Sequence, residues 1–138
     1  MSTILFILGC FEGAELLTLG VRAQGNVEAM TEVLLIQPPM PDRLVPYRRD
    51  IVLCPPIGLC YVASNLLSHG LGVDMVDLAI SDPDPERVEL EISRAKPKIL
   101  GITASTCAYE KALKIARKAK RIDPEIVTVL GGPHVTFT

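Results

Sequence analysis

The chain has 138 residues, the size of a single domain, and 49% of them are hydrophobic against 22% charged, which excludes wholesale disorder. A net charge of −2 and a shortage of aromatics (three Phe, three Tyr, no Trp) exclude a nucleic-acid surface built on a basic field or on stacked bases. No stretch approaches the roughly eighteen uninterrupted apolar residues of a transmembrane helix, so no membrane partner is expected.

Residues 1–29 read as an N-terminal extension apart from the domain. Ile4 to Phe11 is apolar, but Met1-Ser2-Thr3 supplies none of the positive charge that a secretion signal carries. The domain is expected over residues 30–138 and in the cytoplasm. Val33-Leu34-Leu35-Ile36 is a continuous apolar run, the pattern of a strand buried on both faces, and Pro38-Pro39 ends it. After a polar loop, Pro55-Pro56 leads into a helix from about Ile57 to His69, with Gly70 as its stop. Ile57, Tyr61 or Val62, and Leu66 recur there at helical spacing.

Val73-Asp74-Met75-Val76-Asp77 predicts a second strand, and its alternation places it at or near a sheet edge. Asp84 and Pro85 suit the cap and first position of a helix whose apolar face is Val88, Ile92 and Ala95. Ile99 to Thr103 is the third strand. Ser105 or Thr106 is expected to cap a helix reaching Ile122, with Ala108, Ala112, Ile115, Ala116, Ala119 and Ile122 inward. Lys111, Lys114, Lys118 and Arg121 form its solvated basic face. Val127 to Leu130 then reads as a buried fourth strand ending in Gly131-Gly132.

The order β-α-β-α-β-α-β requires right-handed crossovers and a parallel sheet covered by helices on both faces. A flavodoxin-like α/β fold with strand order 2-1-3-4 is predicted, its fifth strand and last helix lying outside this chain. Ligands of such sheets bind outside the carboxyl ends of the strands. Three loops meet there: Gln37 to Met40, Thr103 to Thr106, and Gly131 to His134.

Their chemistry is mild: hydroxyls, bare backbone amides, one imidazole. No paired carboxylates, no nucleophile beside a base and no GxxxxGK phosphate loop accompany them. Cys10, Cys54, Cys60 and Cys107 fall in no CxxC or CxxxCxxC spacing, so no zinc or iron–sulfur site is expected, and free thiols fit a reducing compartment. Singly, a glycine pair after a strand is an ordinary turn and a Ser or Thr before a helix an ordinary cap. Their joint placement on one rim points to a binding surface and not a reaction centre.

The string from Val33 to Thr136, with PPIGLCYVASNLLSHG, VDMVD and KPKILGITASTCAYEKALKIARKAKRIDPEIVTVLGGPHVT, resembles the cobalamin (vitamin B12)-binding domain that precedes radical S-adenosylmethionine (radical SAM) domains. The resemblance implies a flavodoxin-like unit that holds the nucleotide tail of cobalamin between the sheet and its rim loops. Thr103, Ser105 and Thr106 would line the tail pocket. Gly131 and Gly132 would let the tail lie against the backbone, and Pro133 with His134 would shape its wall. The loop after Pro39, with Ile57 and Gly58, would face the corrin.

The DxHxxG motif, whose histidine ligates cobalt in the mutase and methionine synthase type, does not follow the first strand, so no protein metal ligand is expected. The family's CxxxCxxC cluster motif is likewise outside this chain, and with it the iron–sulfur cluster and S-adenosylmethionine. The expected product is an incomplete cobalamin-binding module that is not catalytic alone, in a parent enzyme that performs methylation or related radical chemistry. Two alternatives share the same rim: a flavodoxin-like flavin or nucleotide module, and a receiver-like interaction domain. A receiver wants acids after the first strand, where Gln37-Pro38-Pro39 offers none.

Overall fold

The computed structural model describes residues 31–39, 56–79 and 85–137. In chain order the elements are β1 (Val33–Gln37), α1 (Ile57–Ser68), β2 (Val73–Asp77), α2 (Pro85–Ala95), β3 (Ile99–Thr103), α3 (Tyr109–Ile122), β4 (Val127–Gly131) and α4 (Pro133–Phe137). All strand pairs are parallel and the sheet order is β2-β1-β3-β4. This is the flavodoxin-like arrangement predicted from the alternation of buried strands and amphipathic helices. Among the described residues no helix is long and apolar enough to cross a membrane.

Strand alternation divides the core in two. Leu34, Ile36, Val76, Leu100 and Ile102 point to one face, where Val88 and Ile92 of α2 and Ala112, Ile115 and Ala119 of α3 cover them. The alanines of α3 let that helix sit close to the strands. Val33, Leu35, Val73 and Met75 point to the other face and meet Leu59 and Ala63 of α1.

The inward face of α1 therefore differs from the sequence expectation. Ile57, Tyr61 and Val62 are exposed, whereas Leu59 and Ala63 are buried and Leu66 packs beside them. The helix is apolar nearly all round, so its periodicity alone cannot orient it. Its end is well specified. Gly70 has φ +81° and donates to Leu67 O (3.0 Å), and Leu71 donates to Leu66 O (3.2 Å). This pair of bonds is the Schellman closure that a glycine permits.

Two further expectations change. The helix after β3 begins at Tyr109, with Ala108 at its N-cap and no side-chain cap. Ser105 and Thr106 are not the cap, because Ala104 N–H still bonds Gly131 O (2.8 Å) and so extends the ladder past Thr103. Residues 105–108 then form a turn closed by Ala108 N–H to Ser105 O at 3.0 Å.

Strand β4 is not buried. Val127 is 55% and Val129 49% exposed, because β4 lies at the sheet edge and α3 covers only its other face. At the opposite edge β2 is largely buried, between α1 and α2. The apolar faces of α2 and α3 are as read, except that Ile122 is exposed. Lys118 crosses to Glu89 of α2 at 2.6 Å, and its ammonium holds the Glu89 carboxyl below the ordinary range. The cap expected at Asp84 lies outside the described residues.

Candidate functional site

The strand order makes β1, β3 and β4 neighbours, and the register aligns Ile36 with Ile102 and Thr103 with Gly131. Their carboxyl ends therefore share one rim. Thr103, Ser105, Thr106, Gly131, Gly132, Pro133 and His134 come together there, at the ends of β3 and β4. Pro39 stands at the end of the described part of the β1 loop and is half-buried. Ile57 and Gly58 stand at the start of α1, which packs over β1 and β2 and so lies on the other half of the rim. Both are exposed, and a Cβ on Gly58 would meet nothing within 4 Å.

The two rim glycines differ in kind. A Cβ on Gly131 would enter open space. Gly132 has φ +94°, and a Cβ there would approach Thr103 Oγ1 to 2.8 Å and the Ala104 N and O to 3.0 Å. Gly132 thus serves close approach of two protein segments, while Gly131 leaves room for something else. Pro133 then opens the short helix α4, where the sequence predicts only a loop; proline suits a first helical position. Thr136 donates back to Gly132 O at 2.9 Å.

Alternation puts Gly101, Thr103, Val129 and Gly131 on the α1 side of the sheet. There α1 covers β1 and β2, and Ile99, Val127 and Val129 remain exposed. Among the described residues the result is an uncovered strip of sheet running up to the rim, floored by Gly101. Sequence reading did not single out Gly101, although a glycine inside a strand signals close approach by a neighbour. Its Cβ would meet Leu35 Cδ2 at 2.7 Å, the movable end of a side chain.

Asp77 was also not singled out. It ends β2 at the carboxyl rim, only 3% exposed, with Oδ1 accepting from Ala79 N at 2.9 Å. Burial pushes its carboxyl up, against the Ala79 hydrogen bond; burial and the Asp77 charge together push the Cys60 thiol up. A carboxyl whose folded pKa is raised stabilises most where it is protonated in both states. Its contribution falls as pH climbs from the ordinary carboxylate range through the raised value. Asp77→Asn keeps an acceptor for Ala79 and removes the charge. It should melt above the parent at about pH 7, with the gap narrowing toward about pH 4. A gap independent of pH in paired thermal melts would contradict the burial of an ionisable group here.

Of the two histidines, His69 caps the far end of α1, with Nδ1 against Asn65 O at 2.8 Å. His134 is at the rim, with Nδ1 3.3 Å from Thr106 Oγ1 and its ring 4.1 Å from that of Tyr109. Among the described residues, the β3 and β4 part of the rim bears hydroxyls and backbone amides and is open at Gly131, which suits a ligand that needs hydrogen-bond partners.

A parallel sheet of order 2-1-3-4 with helices between its strands is a flavodoxin-like α/β arrangement. A B12 binding domain profile matches residues 52–138. The chain belongs to that family. It is 35% identical over 108 residues to an uncharacterized methyltransferase of Pyrococcus horikoshii, covering 78% of this chain and 23% of that protein. It is 42% identical over 84 residues to the anaerobic magnesium-protoporphyrin IX monomethyl ester cyclase of Rubrivivax gelatinosus, covering 60% of this chain and 15% of the cyclase. The chain spans less than a quarter of the length of either relative.

Proposed function

We propose that this chain is the cobalamin-binding module of a larger B12-dependent radical SAM enzyme, and that it does no chemistry alone. The observation that carries the reading is the uncovered strip beside α1, open at Gly131 and bordered by Thr103, in a chain of the B12-binding family. The nucleotide tail lies along that strip, with Gly131 admitting it to the backbone. The hydroxyls of Thr103 and Ser105 and the main chain near Gly132 and Pro133 supply hydrogen bonds. Pro39, Ile57 and Gly58 face the corrin from the other half of the rim.

Cobalamin supplies a cobalt–carbon or reduced-cobalt centre to a catalytic domain beyond this chain. The residues here bind and orient it. His134 would shape the wall of the pocket, and the DxHxxG motif that supplies a cobalt-ligating histidine in other B12 domains is not present after β1. The two curated relatives are a methyltransferase and a cyclase by name; the iron–sulfur cluster and S-adenosylmethionine would belong to the catalytic domain that the resemblance of the sequence implies.

The test is direct. Hydroxocobalamin mixed with the purified chain and desalted should stay bound, with a base-off visible spectrum. Retention of FMN in its place would favour the flavin alternative, which the same hydroxyl-bearing rim and strand order allow.

A further inference from the structure

The loops after β3 and β4 are fastened to each other at four points. Ala104 N donates to Gly131 O at 2.8 Å, and His134 N donates to Ala104 O at 3.1 Å. His134 Nδ1 lies 3.3 Å from Thr106 Oγ1, and the His134 ring is tilted 43° against Tyr109 with centroids 4.1 Å apart. Between them Gly132 brings its backbone against Thr103 and Ala104, at a separation that leaves no space for a side chain. The first backbone bond extends the parallel ladder and the second ties the start of α4 to Ala104; both would form with any residue but proline at 134. The two side-chain contacts depend on histidine itself: one edge of the ring reaches Thr106 and the ring face meets Tyr109.

We infer that His134 is a positioning residue. It fastens the β4–α4 turn to the β3–α3 loop through Thr106 and Tyr109, so that the two loops form one preformed wall. The inference rests on the cobalamin reading only for what the wall holds. The Thr106 hydroxyl is engaged by His134 and belongs to the fastening, and the Ser105 hydroxyl lies 3.3 Å from Cys107 Sγ, which leaves Thr103 as the rim hydroxyl best placed to face a ligand. Preorganising the wall lowers the cost of ordering it on binding.

Three variants of the full chain separate the parts. His134→Phe keeps a ring against Tyr109 and lacks Nδ1. His134→Asn lacks the ring and places an amide near the Nδ1 position. Thr106→Val removes the hydroxyl. In the ligand-free chain, amide exchange at Ala104, Ala108 and His134 should quicken in His134→Phe and Thr106→Val and return toward the parent in His134→Asn.

Hydroxocobalamin should bind about two- to fivefold more weakly to His134→Phe and to Thr106→Val, the size of one exposed hydrogen bond. The double variant should be no worse than either single. The spectrum of bound cobalamin should be the same in all. Additive losses, failure of His134→Asn to recover, or unchanged exchange would overturn the fastening. A parent chain that retains no cobalamin would refute the cobalamin reading instead, and the exchange measurements would still decide the fastening.

Discussion

Gly132→Ala is expected to destabilise the folded chain by about 2–5 kcal/mol. The position has φ +94°, where an L side chain costs about 1–2 kcal/mol. The added Cβ would also press on Thr103 Oγ1 at 2.8 Å and on Ala104 N and O at 3.0 Å. Two of those neighbours are backbone atoms fixed by the Ala104–Gly131 and His134–Ala104 hydrogen bonds, so they cannot yield cheaply. Overpacking of this kind adds about 1–3 kcal/mol. Urea unfolding measures the loss; a change below about 0.5 kcal/mol, the ordinary surface range, would show that the turn relaxes freely. Any fall in ligand retention in this variant follows from the damaged turn, so Gly132 is not a clean probe of the ligand.

Gly131→Leu should behave in the opposite way. Nothing lies within 4 Å of the position a Cβ would take, and the residue sits in extended strand conformation at the end of β4. Stability should therefore stay within about 0.5 kcal/mol of the parent. The leucine side chain would fill the mouth of the uncovered strip, and cobalamin retention should fall at least about tenfold, roughly 1.4 kcal/mol. Absorbance titration with hydroxocobalamin measures it. Unchanged affinity with unchanged stability would move the tail away from β4.

These two glycines are adjacent and identical in sequence, and only the structure separates their roles. Much of the fold needed no structure. Val33 to Ile36, Val73 to Asp77 and Ile99 to Thr103 are bounded by turn residues and rich in β-branched and aliphatic side chains, and all three strands fall where the pattern puts them. The alternation with helices leaves few topologies, and order 2-1-3-4 is among them. Where reading failed, a longer-range contact decided the outcome. The start of α3 moved to Tyr109 because Ala104 is held by Gly131, twenty-seven residues away in the chain. The orientation of α1 was ambiguous because Ile57, Leu59, Cys60, Tyr61, Val62 and Ala63 are all apolar, and the sheet chooses among them. Helix α4 is five residues long, too short to show a period.

The candidate site was legible in outline and not in detail. Strand ends and small residues marked the rim correctly, since convergence follows from strand order. Asp77 and Gly101 escaped notice because each reads as an ordinary member of its strand until burial and neighbours are known. In the sequence His134 is one residue of a rim loop, and its ties to Thr106 and Tyr109 span too much sequence to be inferred from spacing.

In the proposed function, the sheet and rim loops hold cobalamin by its nucleotide tail. Parallel equilibrium dialysis of the full chain against hydroxocobalamin and against cobinamide, the same corrin without the nucleotide, tests this most directly. Retention of cobalamin with little or no retention of cobinamide is the predicted result. Equal binding of the two, or binding of neither, would contradict it.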